Sequence, residues 1–379
     1  MFRILLSRPE MIKCTICQKS SEYISKALGV CIGCVRSEAK LALAAADRAH
    51  DQSRKRFALP SFPPKSKLGA KCKICANGCE IPEDGRGFCG LRANKEGKIR
   101  HLAGIPSSGI LESYHDPLPT NCVADWVCPG GTGCGFPEFS YSDRKPEYGY
   151  NNLAVFYGAC TFDCLFCQNW HYRLLSKELS PLVSAHELAS RVDEKTSCIC
   201  YFGGDPTAQL PHAIKTSKIA LKKAKGRILR VCWESNGTMT PSYLKTIAEI
   251  SMKTGGCIKI DLKTWDENLN RILCGVPNTQ TKKSIKFLAE YGRQRREPPF
   301  LVVSTLLVPG YVDVQEVGNI AKFLASLDPQ IPYSLLGFHP DFEMNDMPTT
   351  SKSEANECKK AALEAGLENV RIGNIHLLA

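Results

Sequence analysis

The chain has 379 residues, 43% of them hydrophobic and 23% charged, a globular balance that excludes a disordered or fibrous protein. Lysine plus arginine exceed the acidic residues by 49 to 38, a net charge of +11. That charge is spread along helical stretches such as KTSKIALKKAKGR, which reads as solvated helix faces and argues against a nucleic-acid groove. The longest apolar runs, such as Phe300 to Val308, are strand-sized and too short to span a bilayer, so no membrane association is expected.

The N-terminal MFRILLSRPEMIKC is too short and too quickly interrupted for a signal peptide. Twenty cysteines are the compositional outlier. They fall in C-x2-C and C-x3-C runs, a spacing that clamps a metal or cluster, whereas disulfides belong to small secreted domains. A reducing cytoplasmic setting with several metal sites follows.

In chain order, residues 1–40 read as a zinc-ribbon-like module: Cys14, Cys17, Cys31 and Cys34 form two knuckles suited to structural tetrahedral zinc. Residues 41–70 read as helix and linker. The alanine-rich stretch to about Phe57 has no wide apolar stripe, so an exposed connecting helix is expected, followed by the proline-marked LPSFPPKSK. Residues 71–150 form a cysteine-rich accessory region. Its first set, Cys72, Cys75, Cys79 and Cys89, is open to zinc or to an auxiliary iron–sulfur cluster. Gly85, Gly87 and Gly90 suggest a compact turn and favour zinc. Cys122, Cys128 and Cys134 are evenly spaced and number only three; they would hold a cluster with an open position or line a substrate mouth.

From Asn152 short apolar runs alternate with helical patterns. The runs are NLAVFYGA, SCICYFGG, ILRVCWES, GCIKIDLK, FLVVSTLLV, PYSLLGF and NVRIGNIHLL. Ser184, Thr240 and Ser353 are expected helix N-caps. Such alternation predicts a parallel sheet, and six or more units predict a partial or complete (β/α) barrel over residues 151–379. Functional residues should then lie just after each strand. Cys198, Cys200, Cys232 and Cys257 lie inside strands and read as buried small hydrophobes, with Cys274 a candidate site thiol.

The segment after the first strand is GACTFDCLFCQNW, which places Cys160, Cys164 and Cys167 in C-x3-C-x2-C spacing. Three thiolates on one loop can hold three irons of a 4Fe–4S cubane and leave the fourth iron open to a small molecule. A closed zinc site would need a fourth ligand, and no cysteine stands nearby at a matching offset.

This motif, with Phe166 as the aromatic before the last cysteine, resembles the radical S-adenosylmethionine (SAM) superfamily. Further matches follow in order: Gly203, Gly204, Asp205 and Pro206 (GGDP), Ser235 and Asn236 in ESNG, Asp261 and Lys263 in IDLK, LVPGYVD, and His339 in FHP. The series is similar to the pyruvate formate-lyase activating enzyme branch. CQNW and the upstream KCKICANGC module are closest to the AmmeMemoRadiSam-type subgroup, although HDPLPTNCVADWVCPGGTGCGFP shares only Asp116–Pro117 with that subgroup's pattern.

The resemblance implies an oxidoreductase-type enzyme that cleaves SAM reductively at a 4Fe–4S cluster. The product, a 5′-deoxyadenosyl radical, would abstract hydrogen from an unidentified substrate, either a protein glycine or a small molecule. It implies GGDP at the SAM amino group, Lys263 at its carboxylate, Asp261 at the ribose and His339 facing the same region. A flavodoxin or ferredoxin is the implied electron donor, and a basic surface suits such an acidic partner. The competing class is a non-catalytic zinc or iron–sulfur module that binds nucleic acid or protein; it would have no need of GGDP, IDLK and FHP together.

Overall fold

The computed structural model describes residues 10–120 and 122–379; most of the segment read above as no signal peptide, residues 1–9, lies outside the described residues. Seven strands, β1 (Asn151–Tyr157), β2 (Thr196–Gly203), β3 (Arg230–Ser235), β4 (Ile258–Asp261), β5 (Leu301–Leu307), β6 (Tyr333–Gly337) and β7 (Val370–Gly373), pair in parallel in chain order. They belong to a nine-stranded sheet whose β1 side is extended by the antiparallel strand Gly109–Pro117 and then by Leu182–Val183. The order runs linearly from one edge to the other, so the barrel is partial.

The strands are continuous apolar runs because both faces are covered. On the outer face Tyr201 stacks on Trp233 at 4.7 Å, and each bonds a serine of the flanking helices, Ser217 and Ser251. On the inner face the alternate residues Cys200 and Lys259 meet, 3.8 Å apart. The strand cysteines are buried as expected, but with Lys259 they line the barrel lumen instead of packing among aliphatic side chains.

Helix starts follow local chemistry. Ser184 accepts from the Glu187 amide and caps Ala185–Ser190. Thr240 holds the cap position of Pro241–Thr254 without a side-chain bond. The last cap is Ser351, which accepts from the Glu354 amide, and not Ser353, which is the second residue of the helix and bonds Glu357.

Two accessory segments close the barrel from opposite ends. At the N-terminal end of the strands, residues 118–120 and 122–150 form a plug. Trp126 donates to Ser334 at 3.1 Å, Arg371 pairs with Asp125 at 2.9 Å, and buried Glu147 takes a bidentate ion pair from Arg230. Cys122, Cys128 and Cys134 belong to this plug, and the Cys122 sulfur accepts from Lys259 in the barrel lumen at 2.9 Å. At the C-terminal end the Cys14–Cys34 module docks on the loop after β5: Tyr311 is fully buried beneath it and donates to the Val30 carbonyl at 2.9 Å, and Arg36 pairs with Asp313.

The helix Ala39–Lys55 corrects the expectation of an exposed connector. Ala42, Ala45, Ala46 and Ala49 form a buried face against the helix Glu267–Cys274. An alanine face contributes little hydrophobicity to a sequence pattern, yet it lets helices approach closely. The same face carries His50 and Arg54 into the interior.

Candidate functional site

The loop after β1 holds Cys160, Cys164 and Cys167 at the C-terminal end of the strands, where barrel sites are built. One cavity is lined by these three thiols together with Phe166, Gly203, Gly204, Asp205, Ser235, Asn236, Asp261 and Lys263. Residues scattered over a hundred positions of sequence are thus brought to one wall. Pro206 opens the short helix beyond the turn, outside that wall.

The GGDP turn is explained by crowding. Gly203 has φ +107°, and a Cβ there would stand 2.4 Å from the Tyr157 nitrogen; at Gly204 it would stand 2.2 Å from the Ala159 carbonyl oxygen. Only glycines let the turn press against the cysteine loop. Asp205 faces away from a ligand role: its buried carboxylate accepts from the Thr207 and Asn236 amides, each at 2.7 Å, and from the Ser235 hydroxyl at 3.0 Å. It ties the ends of β2 and β3 together. Asn236 in turn reaches the Cys160 sulfur at 3.8 Å and Thr161 at 2.8 Å.

Lys263 and Asp261 form an ion pair of 2.7 Å in the same cavity, and Asp261 also accepts from Ser304. Burial opposes the Lys263 charge, but Asp261 and the nearby Cys164 hold its pKa above the ordinary value, so it stays cationic. His339 stands apart. Its side chain is 41% exposed, lies 3.7 Å from Asp341, and does not line the cavity.

Behind the cysteine loop is a charge cluster that sequence reasoning missed. Asp163 accepts from Arg173 at 2.7 Å, lies 2.8 Å from the His50 ring and 3.4 Å from Arg54, all with side chains at most 2% exposed. Burial raises the Asp163 carboxyl, yet Arg173, Arg54 and His50 together hold it well below the usual range. The Nε and Nη1 atoms of Arg173 have no partner. The only signal in the sequence was the acidic residue inside C-x3-C; its three partners lie on other elements. Cys274 is also closer than expected, with its sulfur 3.5 Å from that of Cys164.

These residues fit an iron–sulfur group. Burial pushes the Cys160 and Cys167 thiols up, and the Cys274 contact followed by burial does the same at Cys164. A bound metal relieves that cost by displacing the protons. Three soft sulfurs without a carboxylate among them suit iron and sulfide, and the unpartnered Arg173 donors suit a polyanion.

The other cysteine sets differ in geometry. The Cys14, Cys17, Cys31 and Cys34 sulfurs all lie within 4.8 Å of one another, with Cys14–Cys34 at 3.8 Å and Cys17–Cys31 at 3.7 Å. Zinc–sulfur bonds of about 2.3 Å place tetrahedral thiolates about 3.8 Å apart, so the set suits zinc. Burial opposes ionisation of Cys14, but backbone N–H groups of Cys17, Cys31 and Ile16 hold its pKa at about 6. Among the described residues no three sulfurs of Cys72, Cys75, Cys79 and Cys89 are that close, although all four line one enclosed cavity.

Residues 154–324 match the Radical SAM superfamily. The chain is similar to that superfamily over these residues. Members of that superfamily are enzymes that use SAM in radical chemistry. The chain is 32% identical over 185 residues to a putative glycyl-radical enzyme activating enzyme of Methanocaldococcus jannaschii, covering 47% of this chain and 64% of the relative. It is 25% identical over 311 residues to an uncharacterized protein of the same organism, covering 80% and 81% of the two chains. Among solved structures, a domain of pyruvate-formate lyase-activating enzyme from Bacteroides vulgatus aligns with 24% identity and a TM-score of 0.37, over 46% of this chain and 98% of that one. No helix among the described residues is long and apolar enough to cross a membrane.

Proposed function

We propose that this chain is a radical SAM oxidoreductase of the activating-enzyme type, with Cys160, Cys164 and Cys167 holding a 4Fe–4S cluster. The observation that carries the reading is the convergence of those three thiols with Asp261, Lys263 and the GGDP turn on one cavity at the strand ends. Bound there, a reduced cluster would supply the single electron that breaks the sulfonium S–C5′ bond of SAM, giving methionine and the 5′-deoxyadenosyl radical. The protein's part is positioning. The Gly203–Gly204 backbone receives the amino group, Lys263 turns from Asp261 to the carboxylate, and Asp261, freed from that cation, accepts from ribose hydroxyls. Arg173 keeps the anionic group electrostatically balanced.

The substrate is a hydrogen donor admitted at the same mouth. The similarity to a putative activating enzyme supports a protein glycine over a small molecule. Cys14, Cys17, Cys31 and Cys34 hold one structural zinc that braces the loop after β5. The basic surface, net charge +11, suits an acidic flavodoxin or ferredoxin as electron donor in the cytoplasm. The CQNW and KCKICANGC motifs place the enzyme nearest the AmmeMemoRadiSam-type subgroup, and residues 151–379 are its catalytic domain.

Anaerobically reconstituted protein, reduced with dithionite, should give an EPR signal that changes on adding SAM and should release 5′-deoxyadenosine slowly without substrate. A reduced cluster indifferent to SAM, with no nucleoside released, sinks the proposal and leaves a non-catalytic metal module.

A further inference from the structure

The Cys72, Cys75, Cys79 and Cys89 cavity is independent of the SAM site and has its own wall: besides the four thiols it includes Phe88, Arg92 and Thr161. Its sulfurs converge on one space, yet no three of them come within 4.8 Å of one another. In the same chain the zinc-type set closes to 3.7 and 3.8 Å, so the open spacing is a property of this site. Cys160, Cys164 and Cys167 share the open arrangement. A mononuclear tetrahedral ion would have to draw the sulfurs together, because every thiolate must then sit about 2.3 Å from a single centre. A cubane gives each thiolate its own iron and so needs the wider cage.

The wall also shows what charge the occupant carries. Arg92 is 1% exposed; its Nη atoms donate to the Leu91, Ala103 and Ala208 carbonyls and to no carboxylate, and its Nε has no partner. A buried cation with a spare donor and no counter-charge is costly. Four thiolates around an iron–sulfur core supply the missing anion. Backbone N–H groups already point at the sulfurs, from Phe88 to Cys79 at 3.5 Å and from Ile74 and Asn77 to Cys72 and Cys75.

We infer that Cys72, Cys75, Cys79 and Cys89 hold a second 4Fe–4S cluster and not zinc. With four thiolates it has no open iron and is confined to taking up and giving out single electrons. It lies directly behind the catalytic loop: Asn77, two residues after Cys75, donates to the carbonyl of Thr161, the neighbour of Cys160, at 2.8 Å.

The test is a metal count on the full chain carrying Cys160→Ala, Cys164→Ala and Cys167→Ala together, reconstituted anaerobically with iron, sulfide and zinc all present. The expected result is about four iron and four sulfide per chain with about one zinc, and a reduced EPR signal that ignores SAM. About two zinc and no iron, or one zinc and an empty second set, overturns the inference. In the otherwise unaltered chain, Cys75→Ser with Cys89→Ser should remove about half of roughly eight irons and keep the SAM-sensitive signal. An undiminished iron count there overturns it as well. Failure of the wild type to cleave SAM would defeat the proposed function and leave these counts as they are.

Discussion

The two ends of the barrel each bury an ion pair with no solvent around it, and the two are built in opposite ways. At the plugged end Glu147 and Arg230 satisfy one another: both carboxylate oxygens accept from the guanidinium, Ser140, Ser197 and the Tyr141 amide take the remaining positions, and Arg230 also donates to the Phe139 carbonyl. At the open end Arg173 gives one nitrogen to Asp163 and keeps two donors unpartnered beside the cysteine loop. A pair that closes on itself fastens a segment, whereas one that withholds donors is prepared for a further anion. The comparison predicts which substitutions affect chemistry and which affect only folding.

The largest effect belongs to the open end. Cys160→Ala, Cys164→Ala or Cys167→Ala should each abolish the SAM-sensitive EPR signal and nucleoside release, while the circular dichroism and the zinc count stay as in the wild type. Retention of SAM sensitivity in any one of the three would move the catalytic cluster to another set of thiols.

Next comes the plug. Glu147→Gln leaves the Arg230 cation buried without its counter-charge, a loss of about 3–5 kcal/mol for a buried pair broken on one side. Urea midpoints should fall accordingly, and the folded fraction should still cleave SAM. Burial raises the Glu147 carboxyl, but Arg230 and the hydrogen bonds hold its pKa net below the ordinary glutamate value. A depressed carboxylate stabilises the fold above its unfolded value and loses that contribution as pH falls through the folded one. The gap between wild type and Glu147→Gln should therefore be full at pH 7 and narrow on acidification below about 4.5. Arg173→Met should behave in the opposite sense at neutral pH, with cluster potential and SAM response altered more than the urea midpoint.

How far these assignments could be read in advance depends on where the partners lie. Cys160, Gly203, Ser235, Asp261 and Leu307 are strand-end residues, and the strand–helix alternation places such residues on one rim without knowledge of any contact. Asp163 was unreadable because its partners His50 and Arg54 arrive on a helix whose buried face is alanine. The Cys164–Cys274 contact spans 110 positions, and no local spacing records it. The two four-cysteine sets look alike as C-x2-C patterns and separate only when the sulfur distances are seen. Ser351 and Ser353 both offer a hydroxyl close to a run of helix formers, and only the backbone bend selects Ser351 as the cap.

Within the open end the comparison sharpens to single residues. Lys263 lines the cavity and is paired only with Asp261, so Lys263→Ala should raise the SAM concentration needed for half-maximal cleavage by a factor corresponding to about 1–3 kcal/mol, the loss of one charge-assisted hydrogen bond. The cluster's optical spectrum should not change. Because Lys263 must exchange Asp261 for the SAM carboxylate, Asp261→Asn should weaken SAM binding less than Lys263→Ala: the amide still meets the ribose, and the lysine is released from its partner.

The smallest effect is expected at His339. Its place after β6 matches the motif, but its side chain is 41% exposed and lies 3.7 Å from Asp341, outside the cavity wall. A group already solvated gains little from a new hydrogen bond, since it trades water for ligand at about 0.5–1.5 kcal/mol. His339→Ala should shift the SAM dependence of nucleoside release by well under the Lys263→Ala shift, and no more in 0.5 M salt than in buffer. A loss equal to that of Lys263→Ala would mean that the ring swings inward when SAM binds. The mouth would then close over its ligand on the β6 side, and the rigid wall described by Asp261, Lys263 and the GGDP turn would be only part of the binding site.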